Sequence, residues 1–237
     1  RYEIRGELAA RAAQLEHQGY EIISLNIGNP GLFGYRTPET MRLAMIENLH
    51  QAEAYCHQKG IFPAREAVVL QQQSRGIMDV TADDVFIGNG VSECIELAMR
   101  ALLNSGDEVL VPSPDYPLWT ASVTLNHGKP VYYNCRPENQ FQPDPEEIAT
   151  LITPRTRAIV LINPNNPTGT MISAAEIARL AEGLPPQALL VLDGAYAEFV
   201  EGYDGGAALV DARDNVVMTR TFSKVYGLGG LRIGWGY

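Results

Sequence analysis

Short apolar runs alternate with helix-like segments along the chain, and this alternation restricts the fold more than any other feature of the sequence. Each run has only four to six residues and is rich in aliphatic or β-branched side chains. Such runs are typical of buried strands, and strands separated by helices favour parallel pairing. The sequence therefore predicts an α/β fold, with a mainly parallel sheet sandwiched by helices. The predicted strands are Val85 to Gly88, Glu108 to Val111, Val131 to Asn134, Ala158 to Asn163, Leu189 to Asp193 and Val216 to Arg220.

Helix signals occur before and between these runs. Residues Gly6 to Gln18 form an amphipathic stretch, and Ser92 to Leu103 carries apolar residues at helical spacing. Ser173 and Glu176 have the spacing of a capping box, which predicts a helix from there to about Gly183. We find no internal repeat or low-complexity tract, so one domain accounts for most of the chain.

Composition excludes several kinds of partner. The net charge of −10 argues against nucleic acid, whose binders concentrate Lys and Arg on one face. No apolar run approaches the roughly 20 residues of a membrane helix, so no membrane partner is expected. The three cysteines have neither CxxC spacing nor a metal-like spacing to histidine. We therefore expect no metal site, and reduced thiols in a cytoplasmic protein.

Ligands of open α/β sheets bind beyond the carboxyl ends of the strands, so the residues that follow each run are candidates for a site. After the first run, Gly88 to Glu93 is a glycine turn that opens a helix. The free N–H groups at Gly90, Val91 and Ser92 would suit an anion such as phosphate. A turn without a ligand remains the alternative. The dinucleotide fingerprint does not fit, because Glu93 stands where its third glycine is required.

Three more runs end in polar or aromatic residues. Tyr116, held between prolines, could stack on a flat heterocycle or be an ordinary half-buried aromatic residue. Asn166, in the stiff segment NPNNPTG, could donate a hydrogen bond to a ring oxygen, unless the segment is a plain turn. Asp193 ends an apolar run, with Tyr196 three residues later. A carboxylate there calls for a cation such as a protonated pyridine nitrogen, or else it caps a helix.

The last run leads into TFSKVYGLGGLRIG, which is the most informative segment of the chain. The hydroxyls of Thr221 and Ser223 and the fixed charge of Arg232 would suit a phosphate group. Lys224 lies among these groups, although a lysine is more often a surface residue. Its amine is the nucleophile that a carbonyl cofactor needs, and it can act as acid and base once released. Lys224 is therefore the leading candidate for catalysis.

Taken together, NPNNPTG, DGAY and TFSKVYGLGGLRIG resemble the class I/II aminotransferases of pyridoxal 5′-phosphate fold type I, over nearly the whole chain. Residues 2 to about 165 are most similar to bacterial alanine aminotransferases, for example in YCHQKGIFPAREAV. From about residue 170 onward, LLVLDGAYAEFV and the segment around Lys224 are most similar to histidinol-phosphate aminotransferases.

The resemblance implies a role for each candidate. Lys224 would hold pyridoxal 5′-phosphate covalently and Asp193 would pair with its ring nitrogen, while Asn166 and Tyr196 would hydrogen-bond the ring hydroxyl oxygen and Tyr116 would stack on the ring. The catalytic residues would thus be Lys224, Asp193 and Tyr196. Gly28 would lie on the substrate side. The implied phosphate ligands are Gly90, Val91, Ser92, Thr221, Ser223 and Arg232, with Tyr55 reaching in from a second subunit.

The resemblance also implies domains and an activity. Residues 1–30 would form an N-terminal helix and substrate-side segment, and residues 31–237 the cofactor-binding large domain. The expected reaction is ping-pong transfer of an amino group between an amino acid of the alanine or glutamate type and a 2-oxo acid, in a homodimer. Histidinol phosphate as substrate, a lyase or decarboxylase reaction on the same scaffold, and a fragment that binds cofactor without turnover remain alternatives.

The family's small C-terminal domain, with the arginine that binds the substrate carboxylate, is expected to lie beyond Tyr237. On that expectation the 237-residue form binds cofactor but transfers amino groups slowly, unless Arg36 or Arg5 binds the carboxylate instead.

Overall fold

The computed structural model describes residues 6–237, which form one seven-stranded sheet with helices on both faces. Residues 1–5, and with them Arg5, lie outside the described part. The strands are β1 Phe86–Asn89, β2 Glu108–Ser113, β3 Lys129–Asn134, β4 Thr156–Ile162, β5 Leu189–Asp193, β6 Val216–Thr221 and β7 Ile233–Gly236. The α-helices are α1 Gly6–His17, α2 Glu39–Asn48, α3 Phe62–Gln73, α4 Val91–Leu102, α5 Leu118–Leu125, α6 Pro145–Leu151, α7 Ala174–Glu182 and α8 Ala207–Ala212.

The strand order is β1-β7-β6-β5-β4-β2-β3. Strands β3, β2, β4, β5 and β6 pair in parallel, whereas β7 runs antiparallel to both of its neighbours, β6 and β1. All six predicted strands form, and the α/β fold with a mainly parallel sheet is confirmed. The parallel pairing brings the carboxyl ends of β2, β4, β5 and β6 to one edge of the sheet.

Strand β7 is absent from the sequence prediction, which treated Gly234 only as part of a phosphate-binding segment. Two glycines in four residues weaken a strand signal. The structure gives a reason for Gly234: a Cβ there would overlap the backbone at Gly90 and Val91, at the start of α4. The glycine therefore allows β7 to run directly beside the turn that opens α4.

The expectation that every predicted strand is buried is wrong for β1 and β3. These are the two edge strands, and Phe86 in β1 and Tyr132 in β3 are 44% and 45% exposed. The apolar composition of a run does not distinguish an edge strand from a central one, because strand order depends on pairing between distant segments.

The central strands send alternate side chains into two cores. Strand β4, for example, places Ile159 and Leu161 in one core and Ala158, Val160 and Ile162 in the other. Helices α4 and α5 cover the second core, and α3, α6, α7 and α8 contribute to the first. Buried on both faces, the central strands give the residues at their carboxyl ends a rigid base.

The predicted helices form with boundaries within a residue or two. The capping box at Ser173 is present in both directions: the hydroxyl accepts from the Glu176 N–H, and the Glu176 carboxylate accepts from the Ser173 N–H. Helix α1 buries none of its side chains, in contrast to α4. Across residues 6–237, no helix is long and apolar enough to cross a membrane.

Candidate active site

Lys224 lies just after β6, at the edge of the sheet where the parallel strands end, and it is half-buried. Its Nζ donates to the Gly28 carbonyl oxygen at 3.3 Å and lies 5.3 Å from the centre of the Tyr196 ring. A Cβ built on Gly28 would be 3.8 Å from both the Lys224 Nζ and the Tyr196 hydroxyl. The structure thus brings together three candidates that are far apart in sequence. Within the described residues, no carboxylate forms an ion pair with Lys224.

Asp193, the last residue of β5, is a buried carboxylate with only 2% exposure. One oxygen accepts from the Trp119 Nε1 at 2.8 Å, and the other accepts from the Ala195 N–H at 3.1 Å. Burial raises the pKa of Asp193, while these two hydrogen bonds and the charge of Lys224 act in the opposite direction. The Ala195 contact is a local turn bond and not the helix cap of the alternative, because the next helical turn, Ala197–Phe199, has Tyr196 as its N-cap.

No cation lies within ion-pair distance of Asp193 among residues 6–237. Burying a carboxylate without a cation costs free energy, and a protonated ring nitrogen placed against it would offset that cost. Asp193 therefore fits the ring of pyridoxal 5′-phosphate better than it fits a purely structural role.

Trp119 belongs to this site, although the sequence reasoning missed it. Its side chain is fully buried in α5, three residues after Tyr116, and its indole N–H points at Asp193. A signal was available, because a buried Trp usually needs an acceptor for its N–H and a strand-end carboxylate can supply one. Unlike a histidine, the indole donates without titrating, so it holds the carboxylate at any pH.

The predicted phosphate-binding residues also meet. Gly90 caps α4 with φ of 74°, and a Cβ on it would overlap the Arg232 guanidinium. Arg232 donates to the hydroxyls of Ser223 at 3.3 Å and Ser92 at 3.5 Å, and Thr221 accepts from the Ser223 N–H at 3.1 Å. The turn, three hydroxyls and an arginine at a helix N-terminus form a cradle that could hold a doubly charged anion.

Tyr116 lies between this cradle and Asp193. Burial raises the pKa of its hydroxyl, the Asp193 charge acts in the same direction, and a hydrogen bond with Ser92 lowers it. Tyr116 is therefore close both to Asp193 and to Ser92 of the cradle.

Asn166 and Tyr55 make no hydrogen bond to the other candidates within residues 6–237. Asn166 is half-buried. Tyr55 is fully exposed. Within residues 6–237, no cluster of three or more His, Cys, Asp or Glu could hold a metal ion.

Comparison with known proteins identifies what the chain is similar to. The family profile "Aminotransferase class I and II" matches residues 20–237. Glutamate-pyruvate aminotransferase AlaA of Escherichia coli (strain K12) is 44% identical over 237 residues, which are 99% of this chain and 58% of that protein. Histidinol-phosphate aminotransferase of Ruegeria pomeroyi is 46% identical over 194 residues, covering 82% of this chain and 52% of its own length.

A solved structure gives the same result in three dimensions. The crystal structure of an aminotransferase from Escherichia coli superposes with a TM-score of 0.88 at 44% identity. The match covers 99% of this chain and 59% of that one, so the chain spans about three fifths of the length of that relative.

Proposed function

This chain belongs to the class I and II aminotransferases, and from that premise we propose that it binds pyridoxal 5′-phosphate on Lys224 and transfers amino groups. The observation that carries the proposal is the placing of the Lys224 amine beside Tyr196, near the buried Asp193, which forms no ion pair among residues 6–237. The reaction is transfer between a small amino acid, of the alanine or glutamate type, and a 2-oxo acid.

Several expectations from the sequence are confirmed at the level of the family. Class I and II aminotransferases are transferases that depend on pyridoxal 5′-phosphate, so the enzyme class and the cofactor agree with the sequence prediction. Both suspected relatives, alanine and histidinol-phosphate aminotransferases, are among the similar proteins. The division at residue 30 and the role of each site residue stay predictions.

Each residue of the site has a distinct role in the proposed reaction. When bound, the cofactor supplies an electron sink for the substrate α-carbon. The Asp193 carboxylate would hold the ring nitrogen in its protonated form, and the Tyr116 ring would cover the heterocycle. Lys224 Nζ would move a proton between the substrate α-carbon and the cofactor carbon. Tyr196 and Asn166 would hydrogen-bond the ring hydroxyl oxygen, and Gly28 would border the substrate.

The phosphate is held by the cradle described above. Its donors are the N–H groups at Gly90, Val91 and Ser92, the hydroxyls of Ser92, Thr221 and Ser223, and the Arg232 guanidinium. These groups would hold the phosphate, while Asp193 would hold the ring nitrogen and Lys224 would supply the amine.

Alanine and pyruvate are the first substrate pair to test, because a glutamate-pyruvate aminotransferase aligns over 99% of the chain. Histidinol phosphate is the second, supported by the 46% identity of its aminotransferase over 194 residues. The experiment incubates the cofactor-loaded protein with 2-oxoglutarate and either L-alanine or histidinol phosphate, while glutamate, pyruvate and carbon dioxide are measured.

We expect pyruvate to form without carbon dioxide release, since Lys224 removes the α-proton and leaves the carboxylate in place. Faster turnover of histidinol phosphate would favour the second substrate. Carbon dioxide release would show a decarboxylase, and cofactor binding without any turnover would contradict the proposed activity.

We also propose that the protein is a homodimer in which each subunit contributes to the active site of the other. Large exposed apolar side chains concentrate in the N-terminal third of the chain, from Leu8 to Phe62, and exposed apolar surface is typical of an interface. Tyr55 projects from this region fully exposed, as a residue that serves a partner's phosphate cradle would. The free cysteines, two of them buried, are consistent with a cytoplasmic protein.

The dimer is tested by Tyr55→Phe, which removes one hydroxyl and leaves the ring. We expect cofactor retention to weaken about tenfold, as for the loss of one hydrogen bond to a charged group, with folding unchanged. Tyr20→Phe, at another exposed tyrosine of the same region, is the matched control and should retain cofactor normally. Full retention by a monomeric Tyr55→Phe protein would contradict both the shared site and the dimer.

A further inference from the structure

Arg220 is a buried charge that the proposed chemistry does not use. It is the second-to-last residue of β6, only 1% exposed, and adjacent side chains of a strand point to opposite faces. Thr221 points towards the phosphate cradle, so Arg220 points to the other side of the sheet. There its Nη1 lies 3.4 Å from a Glu198 carboxylate oxygen.

The guanidinium also bonds two backbone carbonyls in separate segments. Nη1 donates to the Gly194 oxygen at 3.5 Å, and Nη2 donates to the Asp204 oxygen at 2.6 Å. Gly194 directly follows Asp193, and Asp204 organises the next loop by accepting from the N–H groups of Gly206 and Ala208. One side chain on β6 therefore joins the turn after β5 to the loop before α8.

Two glycines make room for this side chain. Gly205 has a φ of 75°, and a Cβ on it would overlap the Arg220 guanidinium. A Cβ on Gly194 would lie 3.2 Å from the Arg220 Cδ and 3.1 Å from the Thr219 carbonyl oxygen, closer than Cβ atoms normally approach. The backbone on both sides is thus shaped around the arginine.

The contacts of Arg220 bracket Tyr196. Gly194 lies two residues before it and Glu198 two residues after it, within the 3₁₀ turn Ala197–Phe199. Arg220 belongs to the strand that ends three residues before Lys224. The Arg220 side chain therefore links the segment that carries Asp193 and Tyr196 to the strand that leads into Lys224.

Stability alone is a weak explanation for this arrangement. Within the described residues, Glu198 Oε2 and Arg220 Nε are buried without hydrogen-bond partners, and burial lowers the pKa of Arg220. A buried ion pair with incomplete hydrogen bonding contributes little net stability, because desolvation of both charges opposes their attraction. Such a pair is better explained by the geometry that it imposes.

We propose that Arg220, paired with Glu198, is a positioning residue that sets the Tyr196 hydroxyl relative to the Lys224 amine. This inference rests on the proposed cofactor site. The pair acts from the face of the sheet opposite the cradle and touches no reacting atom. Its effect reaches the site through the backbone of residues 194–198.

The test compares two variants and one control, each with and without pyridoxal 5′-phosphate. Arg220→Lys keeps the charge but loses the planar fork that reaches several acceptors at once. Arg220→Met combined with Glu198→Met removes both charges, which a fold tolerates better than removal of one. Arg213→Lys is the control, since Arg213 lies at the opposite end of β6 and also donates to a backbone carbonyl, that of Ala181, at 3.1 Å.

Three quantities are measured: the dissociation constant of the cofactor, the pH midpoint of the visible absorbance of the lysine-linked cofactor, and amide hydrogen exchange of residues 194–206 without cofactor. Both Arg220 variants should bind cofactor about tenfold or more weakly, shift the pH midpoint and exchange faster over residues 194–206. Arg213→Lys should change none of these, even where its thermal stability falls.

The proposal is overturned if a folded Arg220→Lys protein has the wild-type dissociation constant and pH midpoint. If that variant does not fold, the double variant decides in the same way, and failure of both to fold would assign the pair a structural role only. A wild-type protein that forms no link at Lys224 would overturn the proposed function and this inference together.

Discussion

Replacing Lys224 with alanine should abolish covalent attachment of pyridoxal 5′-phosphate and with it the visible absorbance of the lysine-linked cofactor. No other group of the described site can replace the Lys224 amine, because this amine both attaches the cofactor and carries the proton. Amino transfer should fall by at least about 10²–10⁴-fold, the range for loss of a positioned acid–base group. Absorbance spectra and the rate of pyruvate formation measure the two effects.

The lysine content of the chain makes this test sharp. The sequence has three lysines, Lys59, Lys129 and Lys224, so borohydride reduction followed by peptide mapping has only three possible outcomes. Lys59 donates to the Asp83 carbonyl at 2.6 Å, and Lys129 pairs with Glu108 at 3.2 Å. Lys59→Ala and Lys129→Ala should therefore keep the label. Labelling at either of these positions would show that the assignment of Lys224 is wrong.

Asp193→Asn should have the second largest effect. Asparagine has a similar shape but no charge, so the protonated ring nitrogen loses its counter-ion in a site where water cannot replace it. We expect the dissociation constant of the cofactor to rise about 10- to 100-fold, from about 1.5–3 kcal/mol for a hydrogen bond to a charged group. Titration of the cofactor-free protein with pyridoxal 5′-phosphate measures the change.

The decrease of cofactor affinity at low pH gives a second measurement of the role of Asp193. Burial raises the pKa of Asp193 above its usual 3.8, so the carboxylate gains a proton at a higher pH than an ordinary aspartate does. Cofactor affinity should therefore fall as pH drops through that raised pKa, and Asp193→Asn should lack this component. If cofactor affinity falls in the same way at low pH in the wild-type protein and in Asp193→Asn, the proposed role of Asp193 is contradicted.

Trp119→Phe is a milder version of the same perturbation, because it removes only the N–H that holds the carboxylate. The chain contains two tryptophans, and Trp235→Phe is the matched control, since Trp235 is buried in β7. Both substitutions should lower thermal stability by loss of buried aromatic surface. Only Trp119→Phe should weaken cofactor binding, in the direction of Asp193→Asn but by less.

Local pattern was enough to identify most of the elements and most of the site. Parallel strands end at one edge of the sheet, so the residues after the predicted strands had to be neighbours once the fold class was known. For this reason Lys224, Asp193 and the cradle around Arg232 could be listed before any coordinates. Asn166 was listed from its segment and Tyr55 on resemblance to the family, and their roles stay predictions.

What the sequence by itself determined is therefore the type of fold, the six main strands and the candidate residues for the chemistry, since each depends on local composition and spacing. Only the tertiary structure decided that β7 inserts antiparallel between β1 and β6, that β1 and β3 are the edges, that Trp119 contacts Asp193 and that Arg220 contacts Glu198. Each of these depends on contacts between segments far apart in the chain. Trp119 and Asp193, for example, are 74 residues apart. The spacing of residues along the chain does not predict such contacts, because they form only when the chain folds and brings distant segments together.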